Sequence, residues 1–210
     1  MNANLLRLAL LVTITSRPAL AAADAPVPPR PRVAATRYPT RASVMMGLNQ
    51  WALFGGGNVA AQVAHGRWVV EYSHGQALDF GKIGAIALTS AERDAGVDVS
   101  QRWTTGGGVG FRITPNLHVL VELKVHRYEV TGADANQRAG YTSFTVGPGV
   151  FYDLYLYKGL FIQPSLRWWP TVASSYTASA FTRDDGTVYQ HARHELPPFV
   201  NVNVGYTFGR

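Results

Sequence analysis

The chain has 210 residues, of which 47% are apolar and only 15% are charged, and it contains no cysteine. This length fits one domain, and the lack of cysteine excludes a disulfide scaffold and a cysteine-ligated metal site. The formal net charge is +6, but the basic residues are scattered, without a basic helix or an RNA-binding signature, so we expect no nucleic-acid binding. No run of about 18 apolar residues is present to form a spanning helix, so a membrane crossing would require a closed barrel.

The N-terminus has the layout of an export signal. Residues 1–7 carry positive charge, and residues 8–14 form a short apolar core. Ala19-Leu20-Ala21 and Ala23-Asp24-Ala25 both fit a cleavage site, and we favour the first. We predict a signal peptide over residues 1–21; a short buried helix is the alternative, which Arg17-Pro18 disfavours. Residues 22–42 are rich in proline and arginine and poor in apolar bulk, so we predict an extended periplasmic lead-in.

From Ser43 onward, strand patterns alternate with turn and loop patterns. Apolar residues recur at every second position, opposite glycine and polar residues, because successive side chains of a strand point to opposite faces. The longest of these segments reach the ~9–11 residues that a tilted strand needs to cross a bilayer. The eight predicted strands cover residues 43–54, 58–64, 67–73, 99–113, 117–130, 141–157, 160–172 and 199–208.

The predicted connections alternate between short and long. Tight turns at 65–66, 114–116 and 158–159 follow the second, fourth and sixth strands, and loops at 74–98, 131–140 and 173–198 follow the third, fifth and seventh. This alternation is typical of outer-membrane barrels, which have short periplasmic turns and long external loops. The patch from Ile83 to Leu88 is unusually apolar for a loop, and we expect it to pack over the barrel mouth or to extend a strand.

Aromatic residues cluster at both ends of the hairpin formed by the sixth and seventh strands. Aromatic side chains collect at the boundary between water and lipid. We therefore predict belts made of Tyr152, Tyr155, Tyr157 and Phe161 near the turn and of Trp168 and Trp169 at the other end.

The polar face of the strands would line the barrel interior. Eight strands enclose a space about wide enough for side chains to fill, so charged residues there would have to pair with one another. The predicted luminal charge network consists of Glu71, Arg102, Arg112, Glu122, Lys124, Asp153 and Arg167. A plug that seals the lumen is the plain interpretation. The alternative is a narrow polar path or a proton-sensitive gate, with His118 and His126 near Glu122 as the titrating groups.

With this pattern, the segment from Ser43 to Phe208 resembles the small eight-stranded outer-membrane β-barrel proteins of the OmpA-barrel and OmpX type. The resemblance implies an all-β fold, an eight-stranded antiparallel up-and-down transmembrane β-barrel over residues 43–208. It also implies export through the periplasm to the bacterial outer membrane, with outer-membrane lipid, lipopolysaccharide and the barrel-assembly machinery as partners. The machinery reads an aromatic residue at the end of the closing strand, which Tyr206-Thr207-Phe208 resembles, although Gly209-Arg210 follow and Asn203 stands where the family usually has glycine.

Patterns for catalysis and metal binding are weak. A lipid A acyltransferase or deacylase needs a serine, a histidine and an acid that converge at the lipid interface. Ser73-His74 with Asp79 is the nearest candidate, but adjacent strand residues point to opposite faces. His191 and His194, followed by Glu195, could hold a metal on a loop, although solvated loop residues are the plainer interpretation.

We therefore expect no enzyme activity, catalytic site, cofactor or metal. The predicted function is that of an outer-membrane anchor whose long external loops serve surface interaction or envelope integrity. A narrow channel for small hydrophobic or polar molecules is the alternative.

Overall fold

Antiparallel strands make up most of the described chain, which in this computed structural model comprises residues 38–134, 136–183 and 185–208. The predicted signal peptide, most of the lead-in, and Gly209 and Arg210 lie outside the described residues. The strands are β1 (Arg41–Gly47), β2 (Gly57–His65), β3 (Trp68–Asp79), β4 (Asp98–Arg112), β5 (Leu117–Thr131), β6 (Arg138–Tyr152), β7 (Leu154–Tyr157), β8 (Leu160–Arg167), β9 (Thr171–Ser174), β10 (Ser179–Thr182), β11 (Val188–His191) and β12 (Phe199–Phe208).

Hydrogen-bonded pairing closes these strands into a barrel. The strands pair antiparallel in the order β8, β12, β1, β2, β3, β4, β5, β6, and β6 pairs with β8 to complete the ring. The sixth arm is interrupted at Asp153, beyond which β7 pairs with β8, and the seventh is interrupted at 168–170, beyond which β9 pairs with β6. Eight arms result when β7 and β9 are counted as continuations, which confirms the predicted eight-stranded antiparallel up-and-down barrel.

Short helices occupy the connections at one end of the barrel. They are α1 (Leu48–Ala52), a 3-10 turn (Gly81–Ile83), α2 (Gly84–Ala87) and α3 (Ser90–Asp94). The first predicted strand, 43–54, is correct over residues 43–47, although β1 already starts at Arg41, and it is wrong after Gly47, where α1 follows. The segment that forms α1 has no β-branched residue and leads into three glycines, a composition that does not favour a strand. Among the described residues, no helix has the length and apolar character needed to cross a bilayer.

Three of the predicted loops contain more regular structure than expected. Strand β3 continues to Asp79, inside the predicted 74–98 loop, and β5 and β6 leave only residues 132–137 between them. The 173–198 segment contains the hairpin of β10 and β11, a separate two-stranded sheet. The connections at this end are therefore folded structures rather than open loops.

Apolar side chains lie on the outside of the barrel and polar ones on the inside. On β5, Val121 and Leu123 are exposed, whereas Glu122 and Lys124 are buried. The same alternation holds on the other arms, where the exposed residues include Val44, Val63, Val70, Tyr72, Val109, Val150, Leu166, Val200 and Phe208. A soluble domain buries residues of this kind, so the arrangement is the reverse of a soluble fold.

The apolar outer surface ends before the longest strands do. On β5 the outward-facing series passes from Leu123 and Val125 to Arg127 and Glu129. On β6 the corresponding change takes place beyond Phe144, where the outward positions continue to Arg138. The far ends of β4, β5 and β6 therefore project beyond the apolar band.

Around these projecting ends the chain buries a conventional apolar core. We refer to the described residues of 80–99, 128–141 and 171–198 as the external cap, in the sense that they lie beyond the apolar band. Its core consists of Phe80, Leu88, Ala95, Val97, Val99, Tyr128, Val130, Tyr141 and Phe181. The expected packing of the Ile83–Leu88 patch over the barrel mouth is confirmed, since Leu88 belongs to this core and Ile83 and Ile86 line the mouth.

The predicted aromatic belts are correct only in part. Tyr152, Tyr157 and Trp168 are exposed on the outer surface. Phe161 and Trp169 are instead buried, at 1% and 8% exposure, because they share the inward face of the seventh arm with Gln163. Tyr155 is half-buried, and its hydroxyl accepts a 2.9 Å hydrogen bond from Arg41.

Candidate functional site

Glu122 lies in the barrel interior with no exposed surface. Its Oε1 is 3.2 Å from Arg167 Nη1 and 3.6 Å from Lys124 Nζ. Its Oε2 accepts a 3.1 Å hydrogen bond from the indole Nε1 of Trp169. One carboxylate thus joins two cations and an indole, and both of its oxygens have partners.

Glycines on the neighbouring strands make room for this carboxylate. Glu122 on β5 pairs with Gly108 of β4 on one side and with Gly147 of β6 on the other. A Cβ atom at Gly108 would lie 3.0 Å from Glu122 Cγ. The glycines of β4 therefore allow a facing side chain to approach closely, as their position in a strand indicates.

Arg167 connects Glu122 to a second buried carboxylate. Its Nη2 lies 3.8 Å from Glu71 Oε1, and its guanidinium carbon lies 4.6 Å from the centre of the Phe151 ring. Glu71 Oε2 also accepts a 3.3 Å hydrogen bond from Gln62. Planar guanidinium groups suit such positions because they can bond two carboxylates and stack on a ring at once.

Asp153 and Arg112 lie nearer the end with the short turns. Asp153 Oδ1 accepts a 2.9 Å hydrogen bond from Gln163, and its Oδ2 is 3.9 Å from His118 Nδ1. Arg112 is 2% exposed, and its Nη2 donates a 3.0 Å hydrogen bond to the carbonyl of Pro39. Six predicted network residues therefore face the interior: Glu71, Arg112, Glu122, Lys124, Asp153 and Arg167.

Arg102 does not join them, so its inclusion in the luminal network was wrong. Its side chain is 64% exposed, and its Nε lies 3.5 Å from Glu129 Oε2 on the outer surface. The cause is a register shift between Gln101 and Trp103 where β4 pairs with β5. One extra residue reverses the alternation of faces beyond it, so Gln101 points inward and Arg102 outward.

His118 and His126 are both buried, but their hydrogen bonds lead away from Glu122. His118 Nε2 lies 3.2 Å from Gln62 Nε2, and its ring stacks on Phe151 at 5.0 Å. His126 Nε2 lies 2.8 Å from the hydroxyl of Thr145, and its Nδ1 lies 2.6 Å from Gln101 Nε2. The two rings thus occupy separate layers of the interior, with mainly neutral partners.

The nearest candidate for a catalytic set, Ser73, His74 and Asp79, is not assembled. Ser73 points inward and accepts a hydrogen bond from Lys124 Nζ. His74 is the next residue along the strand and faces outward, and Asp79 Oδ1 accepts a 2.9 Å hydrogen bond from the backbone of Gly81. These three side chains therefore have different surroundings.

The two loop histidines bind a carboxylate that the sequence did not single out. His191 Nε2 and His194 Nδ1 lie 3.2 Å and 3.7 Å from Glu92 Oε1, whereas Glu195 pairs with Arg193. Glu92 Oε2 accepts hydrogen bonds of 2.7 Å and 2.9 Å from the backbone and hydroxyl of Thr89, which caps α3. In the part of the chain that the structure describes, no group of three or more His, Cys, Asp or Glu is placed to hold a metal ion.

The charge state of Glu92 follows from these contacts. Burial disfavours the carboxylate, but hydrogen bonds with His191, His194 and Thr89 outweigh it and lower the pKa of Glu92 well below its ordinary value of 4.5. Glu92 is therefore an anion that holds α3 against the β11 region of the external cap.

Several interior residues were absent from the predicted site. Gln62, Gln163, Asn201 and Asn203 are buried, with at most 6% exposure, and Trp169 donates to the central carboxylate. Strand alternation places all of them inward, so the sequence pattern could have assigned them to the interior. The predicted network contained only charged residues, whereas side-chain amides also form many of the hydrogen bonds in the interior.

The buried acids and bases of the barrel interior are equal in number. Three buried acids, Glu71, Glu122 and Asp153, are matched by three buried bases, Arg112, Lys124 and Arg167. Paired charges inside an apolar outer surface suit a closed barrel in lipid, where every backbone group is bonded between strands. The chain is a transmembrane β-barrel.

Comparisons with known proteins find remote likenesses. No family model matches the sequence, and no curated protein matches it. A major outer membrane protein from Thermus thermophilus is 13% identical with a TM-score of 0.46, over 80% of this chain and 98% of that one. The N-terminal β-barrel domain of Pseudomonas aeruginosa OprF is 12% identical with a TM-score of 0.43, over 80% and 97%. A de novo designed transmembrane β-barrel is 11% identical with a TM-score of 0.27, over 80% and 94%.

Proposed function

We propose that this protein is an outer-membrane anchor that carries a folded external cap on a sealed barrel. The observation that carries the proposal is the pairing of every interior acid with a base or an amide, centred on Glu122. The interior of an eight-stranded barrel is about wide enough for side chains to fill, so these paired side chains are expected to close it. The barrel then serves to hold the cap, and the cap serves surface interaction or envelope integrity.

The two ends of the barrel support one orientation. Short turns connect β2 to β3 and β4 to β5, and the cap lies at the opposite end. Short connections face the periplasm and long ones face outward in outer-membrane barrels. In this orientation the predicted signal peptide, residues 1–21, directs export, and the lead-in remains in the periplasm.

The edge of the apolar band nearest the cap supports lipopolysaccharide as a partner. Arg102, Arg127 and Arg138 lie there on the outer surface around Glu129. Arginine is well suited to bind phosphate groups. At the other end, Tyr206 and Phe208 point outward with their rings 5.1 Å apart, as expected for a closing strand that the assembly machinery reads.

Conductance in planar bilayers tests the sealed barrel. We expect the purified protein, shown to be folded by heat-modifiable migration, to give no single-channel steps. The double variant Glu122→Ala/Arg167→Ala removes the central pair and should produce small steps, which proves that silence of the natural protein is not failed insertion. Glu129→Ala, on the outer surface, is the matched control and should stay silent. Steps from the natural protein would overturn the proposal.

A narrow channel for small molecules is the second candidate. A cavity of about 360 Å³ at the external mouth favours it, because this cavity reaches Ser73, Lys124 and Trp169 inside the barrel. The same conductance measurement separates the two functions, since a channel requires a continuous path past Glu122 and Arg167.

A further inference from the structure

The cavity at the external mouth has an apolar wall and a polar floor. Its volume is about 360 Å³, within the range of small-molecule sites. The wall lies around α1, α2 and the start of β12, and its apolar residues are Leu53, Phe80, Ile83, Ile86, Leu196 and Phe199. The floor includes Asn58, Ser73, Gln101, Thr104, Lys124 and Asn201. Ile86 is 82% exposed at the rim, so the apolar wall is open to the outside.

A chain of amides fixes the direction in which Asn201 meets this cavity. Asp153 Oδ1 accepts from Gln163 Nε2 at 2.9 Å, and Gln163 Oε1 accepts from Asn203 Nδ2 at 3.0 Å. Asn203 Oδ1 in turn accepts from Asn201 Nδ2 at 2.8 Å. A carboxylate only accepts hydrogen bonds, so it sets the orientation of each amide after it. The last group in the chain is the carbonyl oxygen of Asn201.

That oxygen is left without a partner among the described residues. Asn201 is 1% exposed, and its Oδ1 is buried without a hydrogen bond. Asn58 Oδ1, on the same floor, is also buried and unpaired. Gln50 Oε1, which also lines the cavity, is likewise buried and unpaired. A buried acceptor of this kind loses its hydrogen bonds to water and forms none within the protein, which costs free energy. Three unpaired acceptors beside an apolar wall call for a ligand with a hydrogen-bond donor and a hydrocarbon body.

The charges on the floor decide what kind of donor fits. Lys124 Nζ already contacts Ser73 Oγ, the carbonyl of Gly106 at 3.4 Å and Glu122 at 3.6 Å. The Lys124 charge is therefore already paired with Glu122. A ligand carboxylate would also meet the unpaired amide oxygens, which only accept hydrogen bonds. A ligand ammonium group would be repelled by the Lys124 charge. A hydroxyl group donates one hydrogen bond and carries no charge.

We propose that the external mouth is a binding site for a neutral amphipathic alcohol. Its hydroxyl group donates to Asn201 Oδ1, and its hydrocarbon chain lies against Leu53, Ile83 and Phe199. The site ends at Glu122 and Arg167, which are at most 2% exposed, so the ligand is held at the mouth. This site is additional to the anchoring function, since it does not require conductance.

The test uses three probes with the same chain and different heads: octan-1-ol, octanoate and octylamine. The full barrel in phosphatidylcholine nanodiscs is titrated while the side-chain ¹⁵N signals of Asn201 and Trp169 are followed. We expect saturable shifts with octan-1-ol, at a concentration about tenfold lower than for the acid or the amine. Asn201→Leu, which removes the acceptor and keeps the size, should weaken octan-1-ol binding about tenfold.

A pair of α2 variants controls for partition into the bilayer and for folding. Ala87 lines the cavity and Ala85 does not. Ala87→Trp should fill the cavity and weaken octan-1-ol binding at least about tenfold, and Ala85→Trp should leave it within about twofold. Equal, non-saturating shifts for all three probes would mean bilayer partition only. Such partition would overturn the proposal. So would tighter binding of octanoate or octylamine than of octan-1-ol, or unchanged octan-1-ol binding in Ala87→Trp.

Discussion

Arg167 Nη1 lies 3.2 Å from Glu122 Oε1 inside the barrel, where both side chains are at most 2% exposed. The two residues come from β8 and β5, which are not neighbours in the sheet. Only β6 lies between them in the barrel wall, so the ion pair spans the inner face of β6 and joins two strands that share no backbone hydrogen bonds. Charges buried in this way depend on their partners, because removing one leaves the other without compensation.

The first prediction concerns the single and double replacement of this pair. Glu122→Leu and Arg167→Met should each lower the free energy of unfolding by about 3–5 kcal/mol, because each leaves a buried charge. The double variant should lose less than the sum, since Glu71 and Lys124 remain as a balanced pair. Urea unfolding in lipid vesicles measures all three. Additive losses would show that the two side chains do not act together.

Arg102→Met provides a second prediction and a matched counterpart to Arg167→Met. Strand alternation predicts both arginines to face the lumen, but the bulge at Arg102 turns it to the outer surface. Exposed ion pairs contribute about 0–1 kcal/mol, so Arg102→Met should change the free energy of unfolding by no more than about 1 kcal/mol. A loss as large as that of Arg167→Met would place Arg102 in the interior after all.

The sequence predicts the barrel wall well because alternation is a local property. On β5, for example, Glu122 and Lys124 are assigned inward and Val121 and Leu123 outward by position alone, and the burial agrees. The same rule gives the correct faces of β12. A pattern with a period of two needs no knowledge of the neighbouring strand, provided that the strand is regular.

Features that depend on irregular pairing or distant partners were not predictable. The residue types around Arg102 do not indicate a β-bulge, because the bulge arises from how β4 pairs with β5. Glu92 and His191 lie 99 residues apart and meet only because the cap folds over the barrel mouth. The N-terminal part of the predicted strand 43–54 is correct, but local composition could not separate β1 from α1. Contacts between residues this far apart in the sequence can be predicted only when the fold is known.

A third prediction uses two glycines that differ in their surroundings. A Cβ atom at Gly147 would lie 1.8 Å from the carbonyl oxygen of Trp168, whereas a Cβ at Gly57 would meet nothing within 4 Å. Gly147→Ala should therefore force the backbones of the sixth and seventh arms apart and cost about 1–3 kcal/mol. Gly57→Ala should stabilise by up to about 1 kcal/mol, because it restricts the unfolded chain. Urea unfolding compares the two, and equal effects would contradict the close approach at Gly147.

A fourth prediction concerns Glu92, the anion that connects parts of the external cap. Glu92→Gln weakens the contacts with His191 and His194, so amide hydrogens of residues 80–97 and 188–195 should exchange faster while those of 117–126 in the barrel wall should not change. Glu195→Gln is the control, because Glu195 is exposed and pairs with Arg193. Hydrogen–deuterium exchange with mass spectrometry measures both. Faster exchange in the barrel wall would mean that Glu92 supports the whole fold rather than the cap.

The pH dependence of the cap follows from the lowered pKa of Glu92. Above its ordinary value of 4.5 the carboxylate is charged in both the folded and the unfolded chain, and its stabilising contribution is fully present. As the pH falls below 4.5, the unfolded chain binds a proton first, and the contribution is lost progressively towards the lowered folded pKa. Cap exchange should therefore stay slow from neutral pH to about 5 and accelerate below 4.5, after correction for intrinsic exchange. Glu92→Gln keeps both histidines but should lack this step, which separates the carboxylate from the imidazoles.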